Sequence, residues 1–256
     1  MPLNAPRYAE NSLSVNAASI AVVPGSMNIG EEHLMEKPES GNNLTPDLDV
    51  TLSIRNLAEF GIYDPLFEDP EVLTGLVLNW KLYGQNAEAV TSGKSRSFAK
   101  AFLIPQGFSA EKGQLATFSH KALALFTSGN SITESTALGT RQKVDDPYHL
   151  DSVSIGGTPI KSVRSVSANY NTSYEWPPEL EPEEAWITKK ASSLTITLDD
   201  HDEATIARFK TGDVDDIVVT FKDESGATST RTFNNCSIRS GVSGGQVTLN
   251  AEQLTT

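Results

Sequence analysis

The chain has 256 residues, 38% of them apolar, and a formal net charge of -13 at pH 7. That length suits one large all-β domain or two small ones and buries a core without staples. The acid excess argues against non-specific binding to DNA phosphates or to an anionic membrane face. The single cysteine, Cys236, excludes a disulfide framework or a cysteine zinc site within one chain.

Residues 1 to 46 are polar, with scattered apolar positions, and read as an extended N-terminal arm with little core of its own, or else as a disordered tail. The apolar run Ala17 to Val23 lacks a basic flank and is too short to span a bilayer. With no secretory signal, the expectation is an intracellular product.

From Asp49 the pattern turns to period two, the signature of a half-buried strand. DVTLSIRNL places Val50, Leu52 and Ile54 on one face. In EDPEVL, Asp69 as N-cap and Pro70 at the first helical position predict a short helical turn leading into a strand. GLVLNWKLYG then sets Leu76, Leu78, Trp80 and Leu82 against Asn79 and Lys81. Ser97 to Pro105 and Gln114 to Phe126 read as further strands, although the second fits neither period cleanly. Residues 127–147, rich in Ser, Thr and Gly, read as a long loop.

SVSI and SVRSVSANY read as a hairpin joined through Gly156-Gly157, a dipeptide that tolerates positive φ. An acidic proline-rich loop, 174–186, separates them from SLTITLDD, whose Leu194, Ile196 and Leu198 share a face. In DDHDEATIARFKTG, Asp200 and Glu203 make a capping-box pattern and Gly212 a C-terminal stop, so this is the clearest helix. DIVVTFKD, a turn at Glu224-Ser225-Gly226, ATSTRTFNNCSIRSG and QVTLN complete a total of nine or ten strands. The expected fold is mainly β: two packed antiparallel sheets, sandwich or barrel, with one flanking helix, spanning 47–256 after the arm 1–46.

Candidate chemistry is thin. Cys236 lies in FNNCSI, a strand-like context that favours a buried structural thiol, and His33, His120, His149 and His201 sit in unrelated surroundings. Glu175, Glu179, Glu181, Glu183 and Glu184 alternate with Pro177, Pro178 and Pro182, which gives a stiff solvated loop rather than an oxygen cage for a cation. Asp199, Asp200, Asp202 and Glu203 are accounted for by a helix start. Asp213, Asp215 and Asp216 lack the glycine and closing glutamate of a calcium loop. Gly25 to Gly30 has neither the spacing nor the lysine of a phosphate loop, and Ser131 lacks the flanking glycines of a nucleophile elbow. Trp80 reads as core, while Trp176 and Trp186 bracket the acidic loop. No catalytic, cofactor-binding or metal-ligating residue is assigned.

The stretch from His149 to Asp200 resembles the tail tube proteins of long-tailed bacteriophages. The matching residues are Val153 to Ile160, Val163 to Ser167 and Trp186 to Asp200, with a second similar stretch at Phe102 to Leu123. The resemblance covers about half the chain, through loose β-patterns. It implies a non-enzymatic virion protein of the tail, assembled in the host cytoplasm, in which six copies form a ring. One sheet of each copy would join a continuous inner barrel, and rings would stack through loops and arms into a conduit for genomic DNA. Implied partners are other copies of the chain and the terminator, tape measure and baseplate proteins, with no membrane. A terminator or distal tail protein is the neighbouring alternative. From a different class comes a carbohydrate- or cell-surface-binding β-sandwich module, stacking sugars on Trp176, Trp186, Tyr170 or Tyr174. A glycosidase-type carboxylate pair on the acidic loops would lack the rigid support that acid–base work requires.

Overall fold

The computed structural model describes residues 7–15, 18–23, 28–29, 34–35, 43–44, 47–53, 71–73, 76–83, 89–98, 101–124, 132–135, 148–175, 186–189, 191–199, 214–243 and 246–254. These residues are β throughout. In the N-terminal half lie β1 (Arg7–Val15), β2 (Ala18–Val22), β3 (Asn28–Ile29), β4 (Leu34–Met35), β5 (Asn43–Leu44), β6 (Asp47–Ser53) and β7 (Glu71–Leu73). There follow β8 (Leu76–Tyr83), β9 (Ala89–Phe98), β10 (Ala101–Glu111), β11 (Thr117–Ala124) and β12 (Ile132–Ser135). The C-terminal half holds β13 (His149–Ile155), β14 (Thr158–Pro159), β15 (Val163–Asn169), β16 (Ser173–Glu175) and β17 (Trp186–Lys189). It ends with β18 (Ser193–Leu198), β19 (Val214–Lys222), β20 (Thr228–Ser243) and β21 (Gln246–Gln253).

The ladders are antiparallel, and apart from the separate pairs β4–β5 and β16–β17 they join in one sheet with one main path, from which β3 and β7 branch at β6 and β10. From β12 the main path passes through β9, β8, β1, β2, β6 and β11 to β10. It continues through β15, β18, β21, β20 and β19 to β13, with β14 at the edge. Strand β10 changes partner along its length: Ala101–Leu103 pairs with β7, and Gly107–Glu111 with β15. The register breaks between Pro105 and Gly107. A bulge there suits Pro105, which has no N–H to give a ladder.

Alternation sets the core. Val166 and Ala168, Leu194 and Ile196, Leu249 and Ala251, and Ile217 and Val219 are buried, while their sequence neighbours face outward. The sheet curls on itself into a half-barrel. Strand β19 lies five places from β10 along the path, yet Phe108 on β10 meets Phe221 on β19 edge-on at 5.3 Å. Phe118 and Phe233 close around the same ring at 5.6 and 6.2 Å. Such tilted and edge-on pairs add about 0.5–1.5 kcal/mol each beyond the area they bury.

Several sequence expectations change. Glu71–Leu73 is a strand on β10 and not a helical turn. The cost of the proline's missing N–H falls just before the ladder, so Pro70 reads as a strand-start signal as easily as a helix-start one. The 127–147 loop contains β12, paired with β9. Gly156-Gly157 does close a hairpin, but between β13 and the two-residue β14; β15 pairs instead with β10 and β18. Gln114 to Phe126 is a strand over Thr117–Ala124, with Phe118 and His120 inward. The strand total exceeds nine or ten for two reasons: the arm itself pairs, with β1 on β8 and β2 on β6, and short strands such as β7, β12, β14, β16 and β17 add to the count. The helix expected from Asp200 to Gly212 lies outside the described residues.

Candidate functional site

Among the described residues, the groups capable of chemistry that the sequence singled out are dispersed or held in structural contacts. His120 is buried on β11, and burial lowers its pKa to about 3, so it is neutral at physiological pH. His149 Nδ1 lies 3.0 Å from the Gln114 carbonyl, tying β13 to the turn before β11. His33 and His201 lie outside the described residues. Cys236 is fully buried; desolvation, with Asp216 nearby, pushes its thiol up to about 11, far from a thiolate nucleophile.

The acidic candidates are structural where they are visible. Asp216 Oδ1 accepts the Asn235 N–H, and the Asp216 carbonyl accepts the Gly156 N–H. Asp199 sits 3.9 Å from Arg164 at the surface. Asp223, not singled out from sequence, organises the β19–β20 turn. It accepts from the Ser225 hydroxyl at 2.7 Å and the Ala227 N–H at 2.8 Å, bonds that hold its carboxyl below the usual range, the Ser225 one foremost. Among the described residues, no group of three or more His, Cys, Asp or Glu side chains is placed to hold a metal. Asp200, Asp202, Glu203, Asp213, Ser131, Gly25, Gly30 and the loop glutamates from Glu179 to Glu184 lie outside them.

The stacking platform loses a member. Tyr170 is only 3% exposed and packs against Phe108 and Phe233 at 6.4 and 6.2 Å, so it belongs to the core. Tyr174 and Trp186 fall on the small β16–β17 hairpin, where Tyr174 pairs with Ile187 and Glu175 with Trp186. Trp176 lies outside the described residues.

What the ladders do assemble is a broad outward surface on β11, β10, β15, β18, β21 and β20. One row crosses all six strands in register: Thr117, Ser109, Ser167, Thr195, Asn250 and Arg239. The next row reads Ser119, Gly107, Asn169, Ser193, Glu252 and Ser237. On the other side run Glu111, Ser165, Thr197, Thr248 and Gly241. At the usual strand separation six strands span about 24 Å. Within the first row the Thr195 hydroxyl donates to Asn250 Oδ1 at 3.2 Å. Arg164 lies beside Glu111 at 3.4 Å.

Glu111, Glu252 and, at the end of β18, Asp199 carry the negative charge of this surface and Lys121, Arg164 and Arg239 the positive, with no aromatic ring in the three rows. The sequence held the signal in the outward positions of SVRSVSAN, SLTITL and VTLNAEQ, but only the register shows that they line up. No protein-family model matches the chain, and no curated protein matches it.

Proposed function

We propose that the chain is a structural subunit of a long-tailed bacteriophage tail, assembling into stacked six-membered rings that form the tail tube through which DNA leaves the particle. One observation carries this reading. Of the stretches that resemble tail tube proteins, Phe102 to Leu123 supplies β10 and β11 and Val163 to Ser167 and Trp186 to Asp200 supply β15 and β18, so that β11, β10, β15 and β18 are consecutive in the sheet, while Val153 to Ile160 falls on β13 and β14 at its far edge.

On this reading the finer fold is two packed sheets with a flanking helix, and the sheet of one copy continues into the next around the ring. The subunit is not an enzyme. Its partners are its own copies and the terminator, tape measure and baseplate proteins, and it resides in the virion tail. A ring whose contacts do not close on themselves along the axis stacks into a filament. Negative-stain microscopy of the concentrated protein tests the proposal. Six-fold rings or tubes with a regular axial repeat are expected, and dispersed monomers at high concentration would overturn it.

A further inference from the structure

The main path of the sheet ends at β13 and β14, and the end of a sheet presents unpaired backbone groups to which another strand can add. Strand β19 pairs with one side of β13 from His149 to Ile155, apart from Asp151. On the other side the cover is discontinuous. Strand β14 pairs with Ser154 and Ile155, and the Ile160 N–H donates to the Val153 carbonyl at 2.8 Å. At the start of β13 the Ala116 N–H donates to the Tyr148 carbonyl at 2.8 Å. Between these contacts, among the described residues, His149 to Ser152 has no strand on that side.

Four residues make about 13 Å of strand, enough to start a ladder with a second copy of the chain. Three features stand against it. The register of β13 breaks between Leu150 and Ser152, so Asp151 is the extra residue of a bulge inside the gap. A bulge bends its strand and takes the backbone groups out of line for a new partner. Asp151 is also exposed, and its carboxylate accepts the Ser152 hydroxyl at 3.1 Å, so an incoming strand must strip water from a charge. Beyond the gap the rim is β14, two exposed residues of which Pro159 has no N–H to give. The Gly156 N–H donates to the Asp216 carbonyl at 2.9 Å, which pins the turn and keeps β14 on the edge.

A very short edge strand, a proline and a charged bulge each hinder edge-to-edge association. None of them serves the core, since Asp151, Thr158 and Pro159 are all exposed. We propose that the β13–β14 edge is guarded, and that Asp151 and Pro159 keep a second copy of the chain from adding a strand there. Copies then meet through other surfaces, and a sheet shared between them joins through other edges.

Asp151→Val and Pro159→Val, singly and together, remove the guard. Free subunits are compared by sedimentation velocity at concentrations where the unsubstituted chain stays monomeric, with amide hydrogen exchange on whatever associates. The double variant should associate at a concentration about tenfold lower than the unsubstituted chain, with exchange at residues 149–152 slowed about tenfold in the associated form. Asp151→Lys keeps a charge at the bulge and should stay monomeric. A double variant that stays monomeric at an unchanged urea midpoint sinks the inference, and so does association without slowed exchange at 149–152. Association of Asp151→Lys to the same extent as Asp151→Val overturns it too, because loss of the Ser152 contact and not of the charge would then be responsible. If the double variant does not fold, the single variants decide by the same readouts. Slowed exchange at 149–152 in assemblies of the unsubstituted chain would make this edge a joint between copies, which overturns the guard while supporting assembly. Failure of the unsubstituted chain to assemble overturns the function proposed above and leaves the guard standing, because the guard is read on free subunits.

Discussion

At the level of single residues, two buried features set measurable limits. Gly107 has φ +149, and a Cβ there would fall on the Ala168 carbonyl oxygen, a backbone atom locked in the β10–β15 ladder. Neither strand can yield without breaking its pairing, so Gly107→Ala costs about 3 kcal/mol, read as a lowered urea midpoint. Gly156 (φ +56) differs, because its Cβ would meet the Asp215 carboxylate, a side chain, at 2.6 Å. There the substitution costs about 1–2 kcal/mol, mainly the left-handed conformation. Equal midpoints for the two variants would contradict this distinction. His120 makes a pH prediction. Its folded pKa, about 3, lies below the ordinary 6.5 because burial disfavours the charged ring. A proton therefore binds the unfolded chain first, and the stability contribution is present above pH 6.5 and lost as pH falls toward 3. Between about pH 7 and about pH 5 the loss is about 2 kcal/mol. His120→Phe should flatten that part of the stability–pH curve even if it lowers the whole curve, and an unchanged slope would show that His120 is not responsible.

At the level of elements, β18 offers the sharpest contrast because neighbouring residues face opposite ways. Ile196 is fully buried between Val166 and Leu249, whereas Thr195 is exposed between Ser167 and Asn250. Ile196→Ala should cost about 3 kcal/mol through lost burial and a residual cavity, and Thr195→Ala should stay within about 0.5 kcal/mol. Chemical denaturation of the two variants measures both, and similar losses would mean that the register is wrong. This contrast also marks what the sequence made legible. Leu194, Ile196 and Leu198 announced a strand and its inward face, because period two is a local property. Partners were not legible: β15 follows the Gly156-Gly157 turn, yet its neighbours are β10 and β18, chosen by packing around Phe108 rather than by proximity along the chain. Short segments failed for a related reason. Glu71–Leu73 and Ile132–Ser135 have too few residues to show alternation, and each is a strand only because β10 or β9 lies beside it. The polar surface escaped notice because attention to periodicity goes to the apolar positions, and a row of Ser, Thr and Asn acquires meaning only when six strands align it.

At the scale of the whole molecule, the acid excess becomes a constraint on assembly. Six copies bring -78 formal charges together. Copies approaching one another must overcome the repulsion between their net negative charges. Raising ionic strength shortens the reach of that repulsion, from about 30 Å at about 0.01 M to about 3 Å at about 1 M. If hydrophobic and backbone contacts drive association, rings and tubes should be scarce at low salt and grow as salt is added. Sedimentation velocity across that range reads the shift from subunit to ring directly. The opposite trend, assemblies that dissolve as salt rises, would mean that attraction between unlike charges holds the copies together. The acidic segments would then be docking on Lys and Arg of a neighbour rather than being tolerated at a distance from it. Neutralising Glu179, Glu181, Glu183 and Glu184 to Gln separates the two cases. It lowers the salt required if these residues repel, and it abolishes assembly at every salt concentration if they dock.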